Sequence, residues 1–349
     1  MYCGKELLKI VKLFNVGEAE LRDDRLFLRR YPSCLDKFLS PDGADMGRQS
    51  TGCEIRFVKT EKGRVRINLS VENEGSHVLV YRGDRLDSGY PVSHSCSIII
   101  NDNPCDSVKN PDFFHADSFS KDVIRLVIQG GYAAIDSIET YGRKIRPPHK
   151  DEEPKKTILA YGSSITHGAR SGNTQITYAA FAGQLLGAQV MNKGLAGSCL
   201  CENEIADYFA ENIKYDAFIF ELGTNMYSYC LSENYDIEKT ADFIKKRGEY
   251  MLSKMLDKNP YKPIFLITPL RPHTKYDSSF DYETIENAIV KMRKNIKTNN
   301  CFIIKAEEIQ PATSVVTTDL IHPSPEGHAI MGFRLAELIR KHLKNDMNI

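Results

Sequence analysis

Between Leu26 and Tyr141 apolar and polar residues alternate in short runs: Cys53-Glu-Ile-Arg-Phe-Val58, Val65-Arg-Ile-Asn-Leu-Ser-Val71, Val78–Tyr81, Ser97–Ile100, Val123–Ile128 and Ala134–Tyr141. Each has the length and β-branched content of a strand, and a period of two sends alternate side chains to one buried face. Turn formers separate them at Glu74-Gly75, Arg82-Gly-Asp84, Asp102-Asn-Pro104 and Gly130-Gly131. Several strands in succession without intervening helices predict a β-sandwich of jelly-roll type. The first 25 residues have no single period, and Leu7 to Leu13 fits a short helix or an edge strand.

Arg146-Pro-Pro-His-Lys-Asp-Glu-Glu-Pro-Lys-Lys156 is charged, proline-bearing and nearly free of apolar side chains, the composition of an exposed interdomain linker. The boundary is placed there, giving a sandwich over residues 1–150 and a second domain over 151–349. Beyond it the period changes. Strands are predicted at Thr157–Tyr161, Gln189–Met191, Ala217–Phe220, Pro263–Thr268 and Cys301–Ile304, alternating with helices at Tyr178–Leu186, Glu204–Ile213, Ile237–Leu256, Tyr282–Ile296 and Glu326–Leu343. That alternation predicts a parallel sheet with helices on both faces, whose reactive groups gather at the carboxyl ends of the strands.

The length of 349 residues suits two domains, and 42% hydrophobic with 26% charged residues is globular composition, which excludes disorder, collagen and coiled coil. Basic and acidic residues both number 46, so no net field draws the chain to nucleic acid or to an anionic membrane, and neither is expected as a partner. Apolar runs such as Ala217–Phe220 and Ile264–Ile267 fall far short of the ~18 residues of a membrane helix. Lys5, Glu6, Lys9 and Lys12 interrupt any secretory core, so a cytoplasmic location is expected. The nine cysteines are odd in number and lack paired metal spacing; Cys199-Leu-Cys201 is neither a zinc knuckle nor a redox motif. Reduced thiols, no metal and no cofactor are therefore expected.

The first strand of the second half runs into Tyr161-Gly-Ser-Ser-Ile-Thr-His-Gly168. A serine there stands where such a sheet presents a nucleophile. The second strand ends in Asn192-Lys-Gly-Leu-Ala-Gly197, a loop offering backbone N–H groups, and the third ends in Glu221-Leu-Gly-Thr-Asn225, whose amide can donate to an oxyanion. Ahead of the last helix comes Thr318-Asp-Leu-Ile-His-Pro323, a spacing that lets Asp319 hold Nδ1–H of His322 while Nε2 faces a hydroxyl. Singly, each motif also reads as turn chemistry. In this order at one sheet edge they supply a nucleophile, oxyanion donors and a base with its orienter. The Gly-x-Ser-x-Gly elbow, His-Glu-x-x-His, P-loop and Gly-x-Gly-x-x-Gly fingerprints are absent from the sequence.

On those four blocks the chain resembles the SGNH (GDSL-type) hydrolase superfamily from about Thr157 to Leu343. The resemblance implies a flavodoxin-like three-layer α/β/α catalytic domain, with Ser164 as nucleophile and His322 as general base oriented by Asp319. It also implies an oxyanion hole made of the backbone N–H groups of Ser164 and Gly197 and the side-chain amide of Asn225. Two positions depart from the family pattern: Ser163 replaces an Asp between the first Gly and the Ser, and Met226 replaces an Asp after the Asn of the third block. Neither position is nucleophile, base or oxyanion donor, so the departures bear on the substrate subfamily. Ser163 is the alternative nucleophile, but the Gly-x-Ser frame selects Ser164. Tyr227 and His167 are candidate substrate-binding residues, with Tyr229 and His273 in the same neighbourhood; His94 and His115 are assigned no role.

A sandwich ahead of such a domain resembles the two-domain bacterial carbohydrate acetylesterases. This implies a serine esterase that removes a short acyl group, acetyl first, from a small-molecule or oligosaccharide ester. The lack of any Trp removes the commonest sugar-stacking side chain. Two alternatives remain: a lipase or thioesterase for longer acyl chains, and a carbohydrate-binding protein whose hydrolase half is inactive.

Overall fold

The computed structural model describes residues 1–72, 76–104, 119–272 and 281–346. The chain divides into two compact units, one of Met1–Cys34 with Gly47–Lys155, the other of Leu35–Met46 with Lys156–Ile349.

The first unit contains strands β1 (Lys12–Phe14), β2 (Glu18–Arg22), β3 (Arg25–Arg29), β4 (Glu54–Lys59), β5 (Val65–Glu72), β6 (Ser76–Arg82), β7 (Arg85–Val92), β8 (Ser95–Ile100), β9 (Val123–Ile128), β10 (Tyr132–Glu139) and β11 (Ile145–Arg146). One sheet runs β1-β4-β9-β6-β7 with β11 paired to β4, the other β2-β3-β10-β5-β8, and every pairing is antiparallel. This is a β-sandwich. Alternation explains it: Val65, Ile67, Leu69 and Val71 of β5 and Ile55 and Phe57 of β4 point into a single apolar core, joined there by Leu126 and Ile128 of β9. The period alone did not reveal β7. Its residues are mostly exposed, it carries Gly89 and Pro91, and it lies at a sheet edge, where proline is tolerated and alternation fades. Of the first residues, Leu7–Ile10 form a helical turn and Lys12–Phe14 an edge strand, so both readings of that stretch hold in part.

The other face of β4 carries charge. Glu54 accepts from Arg125 at 2.8 and 2.9 Å and from Arg56 at 2.8 Å, while Arg56 also reaches Glu153 at 2.8 Å and Lys12 pairs with the same Glu153. Phe119 lies 4.1 Å from the Arg125 guanidinium and Phe14 3.9 Å from that of Arg56. Arg56 is fully buried, and Glu54, Arg125 and Glu153 nearly so. The stretch expected to be an exposed linker is therefore partly built in: Ile145 and Arg146 pair with β4, Arg146 bonds Glu152 at 2.7 and 2.8 Å, and Glu153 is buried. Arg146, Glu152 and Glu153 have ion partners within the sandwich, while Lys150, Asp151, Lys155 and Lys156 are exposed as expected.

In the second unit β12 (Lys156–Tyr161), β13 (Ala188–Asn192), β14 (Ala217–Glu221), β15 (Ile264–Ile267) and β16 (Cys301–Ile304) form a parallel sheet in the order β13-β12-β14-β15-β16. Between them lie α1 (Ser164–His167), α2 (Tyr178–Leu185), α3 (Asn203–Asn212), α4 (Thr224–Ser232), α5 (Ile237–Lys258) and α6 (Tyr282–Asn295), with α7 (Pro325–Asp346) last. Ile158, Ala160, Ile219, Phe265 and Ile304 of the sheet pack with Ala179 and Ala182 of α2 and Leu335 and Ile339 of α7. On the opposite face Tyr161, Phe218 and Phe220 form a ring stack edged by Phe209 of α3, with Phe218 and Phe220 5.4 Å apart. Apolar side chains on both faces of every strand require helices on both sides, which gives the flavodoxin-like three-layer order. No helix among the described residues is long and apolar enough to cross a membrane.

Burial opposes the charge of Glu54, yet Arg125 and then Arg56 hold its carboxyl down at about 2 against an ordinary 4.5. Because the folded value is depressed, Glu54 adds stability above pH ~4.5 that disappears as pH falls toward ~2. Glu54→Gln leaves Arg125 buried without its anion and should cost about 3–5 kcal/mol in denaturant unfolding at neutral pH. A loss under ~1 kcal/mol would show that the cluster contributes little.

Candidate active site

The strand order puts β12 between β13 and β14, so the crevice at their carboxyl ends is the topological switch point of the sheet. Three of the four motif blocks leave the sheet there, after β12, β13 and β14.

Tyr161 ends β12 and Gly162-Ser163 turns the chain into α1, whose first residue is Ser164. Ser163 caps this turn: its buried hydroxyl accepts from the Ile165 N–H at 3.3 Å. The Ser164 hydroxyl, by contrast, lies 2.8 Å from Nε2 of His322. The motif departure at 163 thus keeps a capping acceptor where the family places Asp.

His322 sits in a tight loop. Val316 bridges Pro323, and the His322 carbonyl accepts from the Thr317 N–H at 2.8 Å and from its hydroxyl at 3.1 Å. Leu320, at the tip, adopts φ +58, which strains a bulky L-residue. The loop wraps Asp319. One carboxylate oxygen bonds Nδ1 of His322 at 2.9 Å, and the other accepts from the N–H groups of Ile321 and His322 at 2.9 and 3.0 Å and from the Thr317 hydroxyl at 2.8 Å. Burial works to raise the Asp319 pKa, but these bonds, led by those from His322, hold it well below the usual carboxylate range. Asp319 is therefore an anion throughout the working pH range. It fixes the His322 tautomer with Nδ1 protonated and Nε2 as an acceptor facing Ser164.

The loops after β13 and β14 meet beside Ser164. Gly194 packs so closely on α1 that a Cβ there would lie 2.4 Å from the His167 nitrogen. Gly197 is exposed at φ +72, with nothing within 4 Å of its missing Cβ. Asn225, at the start of α4, accepts from the Cys199 N–H at 3.3 Å through Oδ1. With its oxygen engaged, the amide presents its NH₂ as donor. Met226, where the family carries Asp, is fully buried.

Tyr227, a candidate substrate-binding residue, offers little surface to a ligand. It is 3% exposed, because on α4 it falls on the face turned into the core, together with Met226 and Cys230. Tyr229 is the exposed aromatic of that helix, stacked on Phe243 at 5.7 Å between ring centres. His167 is half-buried, its Nδ1 3.0 Å from the Gly194 carbonyl, so it braces the loop after β13. His273 and His115 lie outside the described residues.

Two further contributors had no local signal. His328, buried on α7, accepts from the Tyr178 N–H at 3.3 Å and bonds the Ala169 carbonyl at 3.2 Å, while the Ala169 N–H bonds the Ser164 carbonyl. Burial pushes His328 down to about 4, so it is a neutral brace between α2, α7 and the turn after Ser164. The segment Leu35–Met46 places Ser40 Oγ 3.4 Å from Ser198 Oγ, and a Cβ at Gly43 would touch Ser198 at 3.3 Å. A piece of the sandwich half of the sequence thus lies against the loop that carries Gly197.

A hydroxyl bonded to a neutral imidazole that an anion orients, with N–H donors beside it, can attack an acyl carbonyl and stabilise the resulting oxyanion. Fold and motif order define the class: a carboxylic ester hydrolase of SGNH type. Residues 155–342 match the GDSL-like Lipase/Acylhydrolase family, and the chain belongs to it. Similar solved structures include the salicylyl-acyltransferase SsfX3 from a tetracycline biosynthetic pathway, with TM-score 0.74, 13% identity and coverage of 95% of this chain and 94% of that one. A protein of Bacteroides ovatus described as a GDSL-like lipase gives 0.68, 19% identity and 97% coverage of both chains. A family two carbohydrate esterase from Cellvibrio japonicus gives 0.62, 15% identity and 96% of both. These likenesses establish a shared fold. No curated protein matches the sequence.

The two loop glycines make a contrasting pair. Gly194→Ala forces a Cβ against backbone and should destabilise by about 1–3 kcal/mol. Gly197→Ala meets only the left-handed backbone penalty, about 1–2 kcal/mol. Thermal unfolding of the two variants should rank Gly194→Ala as the less stable, and the reverse order would show that the loop after β13 relaxes away from α1.

Proposed function

We propose that this esterase removes short acyl groups, acetyl in particular, from a carbohydrate or small-molecule alcohol through an acyl-enzyme on Ser164. The observation that carries the proposal is the hydrogen-bonded run Ser164 Oγ, His322 Nε2, His322 Nδ1, Asp319 Oδ2, at 2.8 and 2.9 Å. His322 takes the Ser164 proton as the hydroxyl attacks and returns it to the leaving alcohol. Asp319 stabilises the imidazolium, and the backbone N–H groups of Ser164 and Gly197 and the Asn225 amide receive the oxyanion. Water then repeats the cycle on the acyl-enzyme.

A small acyl group is supported by the small size of the crevice between Ile165 and the His322 loop, which Leu270, Val316, Ile321 and Pro323 line together with the polar Arg271 and Gln310. A sugar or similar alcohol is supported by the sandwich-plus-hydrolase architecture shared with the Cellvibrio esterase. Rates on p-nitrophenyl acetate, octanoate and decanoate decide acyl length: a steep fall with length is expected, and a rise would sink the acetyl assignment. A fluorophosphonate should label Ser164, Ser164→Ala should be inactive yet folded, and labelling at Ser163 would overturn the nucleophile.

The acid limb of the pH profile follows from the site. Protonated His322 cannot accept the Ser164 proton, whereas Asp319 is already ionised far below that range. The rate should fall tenfold per pH unit along a single limb; a second acid limb above pH ~3 would contradict the depressed Asp319.

If Asn225 donates to the oxyanion, its bond strengthens in the transition state and its loss appears in kcat. Asn225→Ala should lower kcat by on the order of 10²–10³ with KM little changed. Retention of more than about a third of the parent kcat, a contribution under ~1 kcal/mol, would make Asn225 a turn residue.

A further inference from the structure

Glu221 ends β14 beneath the Ser164 turn, 1% exposed, and takes no part in the proton transfers above. One carboxylate oxygen accepts from the Ser163 N–H at 2.5 Å and from the Thr166 hydroxyl at 3.1 Å. Thr166 lies in turn 2.7 Å from the Tyr178 hydroxyl. Thr166 donates its one hydroxyl proton to Glu221, so the Tyr178 hydroxyl donates to Thr166. The charge is felt along this relay: burial first and Glu221 second push the Tyr178 phenol far up.

The Ser163 N–H and the Gly162 carbonyl are the two polar ends of one peptide unit. Its carbonyl accepts from the Leu195 N–H at 2.9 Å. That amide is therefore clamped from both sides, by the loop after β13 through Leu195 and by β14 through Glu221. It is followed by the 163–164 amide, which carries the Ser164 N–H. The fit excludes any side chain at residue 162, since a Cβ there would lie 2.5 Å from the Glu221 oxygen and 2.3 Å from that of Thr166.

We infer that Glu221 is a positioning residue that locks the 162–163 amide and so sets the Ser164 hydroxyl against His322 and the Ser164 N–H in register with Gly197 and Asn225. The inference rests on Ser164 being the nucleophile. Glu221 acts on a bond that matters only when attack occurs, and it does not contact substrate.

Three variants test it: Glu221→Leu removes the acceptor, Glu221→Gln keeps an acceptor oxygen without charge, and Thr166→Val removes only the second donor. A misplacement near 1 Å costs about 10²-fold, so Glu221→Leu should lose about that factor in kcat on p-nitrophenyl acetate, with KM within about twofold and fluorophosphonate labelling of Ser164 slowed in parallel. Glu221→Gln should recover to within about fivefold of the parent, and Thr166→Val should lie between Gln and Leu, since the Ser163 bond survives. A folded Glu221→Leu with parent kcat, or Glu221→Gln as slow as Leu, would overturn the role. Should Glu221→Leu fail to fold, a Gln variant slower than about fivefold, or a Thr166→Val indistinguishable from parent, overturns it equally. Failure of the underlying reading looks different: the parent enzyme itself would then escape labelling at Ser164.

Discussion

A hydrogen bond of 2.8 Å between the Ser164 hydroxyl and the His322 ring joins groups 158 residues apart in sequence. Neither side chain can hold that distance alone, because Ser164 opens a one-turn helix and His322 sits in a loop, and such short segments drift unless their polar groups are engaged. The second unit supplies the engagement at every step. Parallel pairing of β12 with β13 and β14 fixes where the chain leaves the sheet, and a short cap at Ser163 sets its turn into α1. On the other side, the bridge from Val316 to Pro323 closes the His322 loop, and Asp319 takes up that loop's N–H groups as well as the ring. His328 then ties α7, which follows that loop, to the turn after Ser164 through Ala169. The site's geometry is thus the sum of satisfied backbone groups, with side chains placed only at the end.

The two units achieve order by different means. In the second, both sheet faces are apolar and helices cover them, so strand order and helix faces follow from hydrophobic burial. In the sandwich, one face of β4 is apolar and the other carries Glu54 and Arg56. Burying such groups costs desolvation that only good geometry offsets, so their gain is directional: Glu54, Arg56, Arg125 and Glu153 bond in one arrangement of β4, β9 and the chain after β11. Within a stretch that reads as solvent-loving from composition, Arg146, Glu152 and Glu153 therefore act as locking residues.

What the sequence made legible follows the same division. The five parallel strands and the longer helices between them were visible because each has its own apolar period, whereas α1 and α4 were not predicted. Ser164, Asp319, His322 and Asn225 stood out as candidates because they stand beside the ends of those elements. Other features depend on partners far away in sequence and left no local mark. The face taken by Tyr227 is decided by where α4 begins, at Thr224 after its Gly223 cap. The return of Leu35–Met46 to the second unit is decided by contacts with residues near 198. Glu221 read as the last residue of a strand, and only the fold brings the Ser163 N–H onto it.

The motif departures at 163 and 226 gain a physical meaning from this. A carboxylate at 163 would stand beside Glu221, which already occupies the floor of the turn with one oxygen bonded to the Ser163 N–H and the Thr166 hydroxyl and the other without a hydrogen-bond partner among the described residues. A second buried carboxylate there would need donors or a cation of its own. A serine keeps the capping bond and adds no charge. Met226 likewise packs in a site that is fully buried, where a carboxylate would need a cation or several donors. The chain thus carries its buried charge at the base of the nucleophile turn on β14 rather than on the turn itself, and the substitutions at 163 and 226 are compatible with that placement.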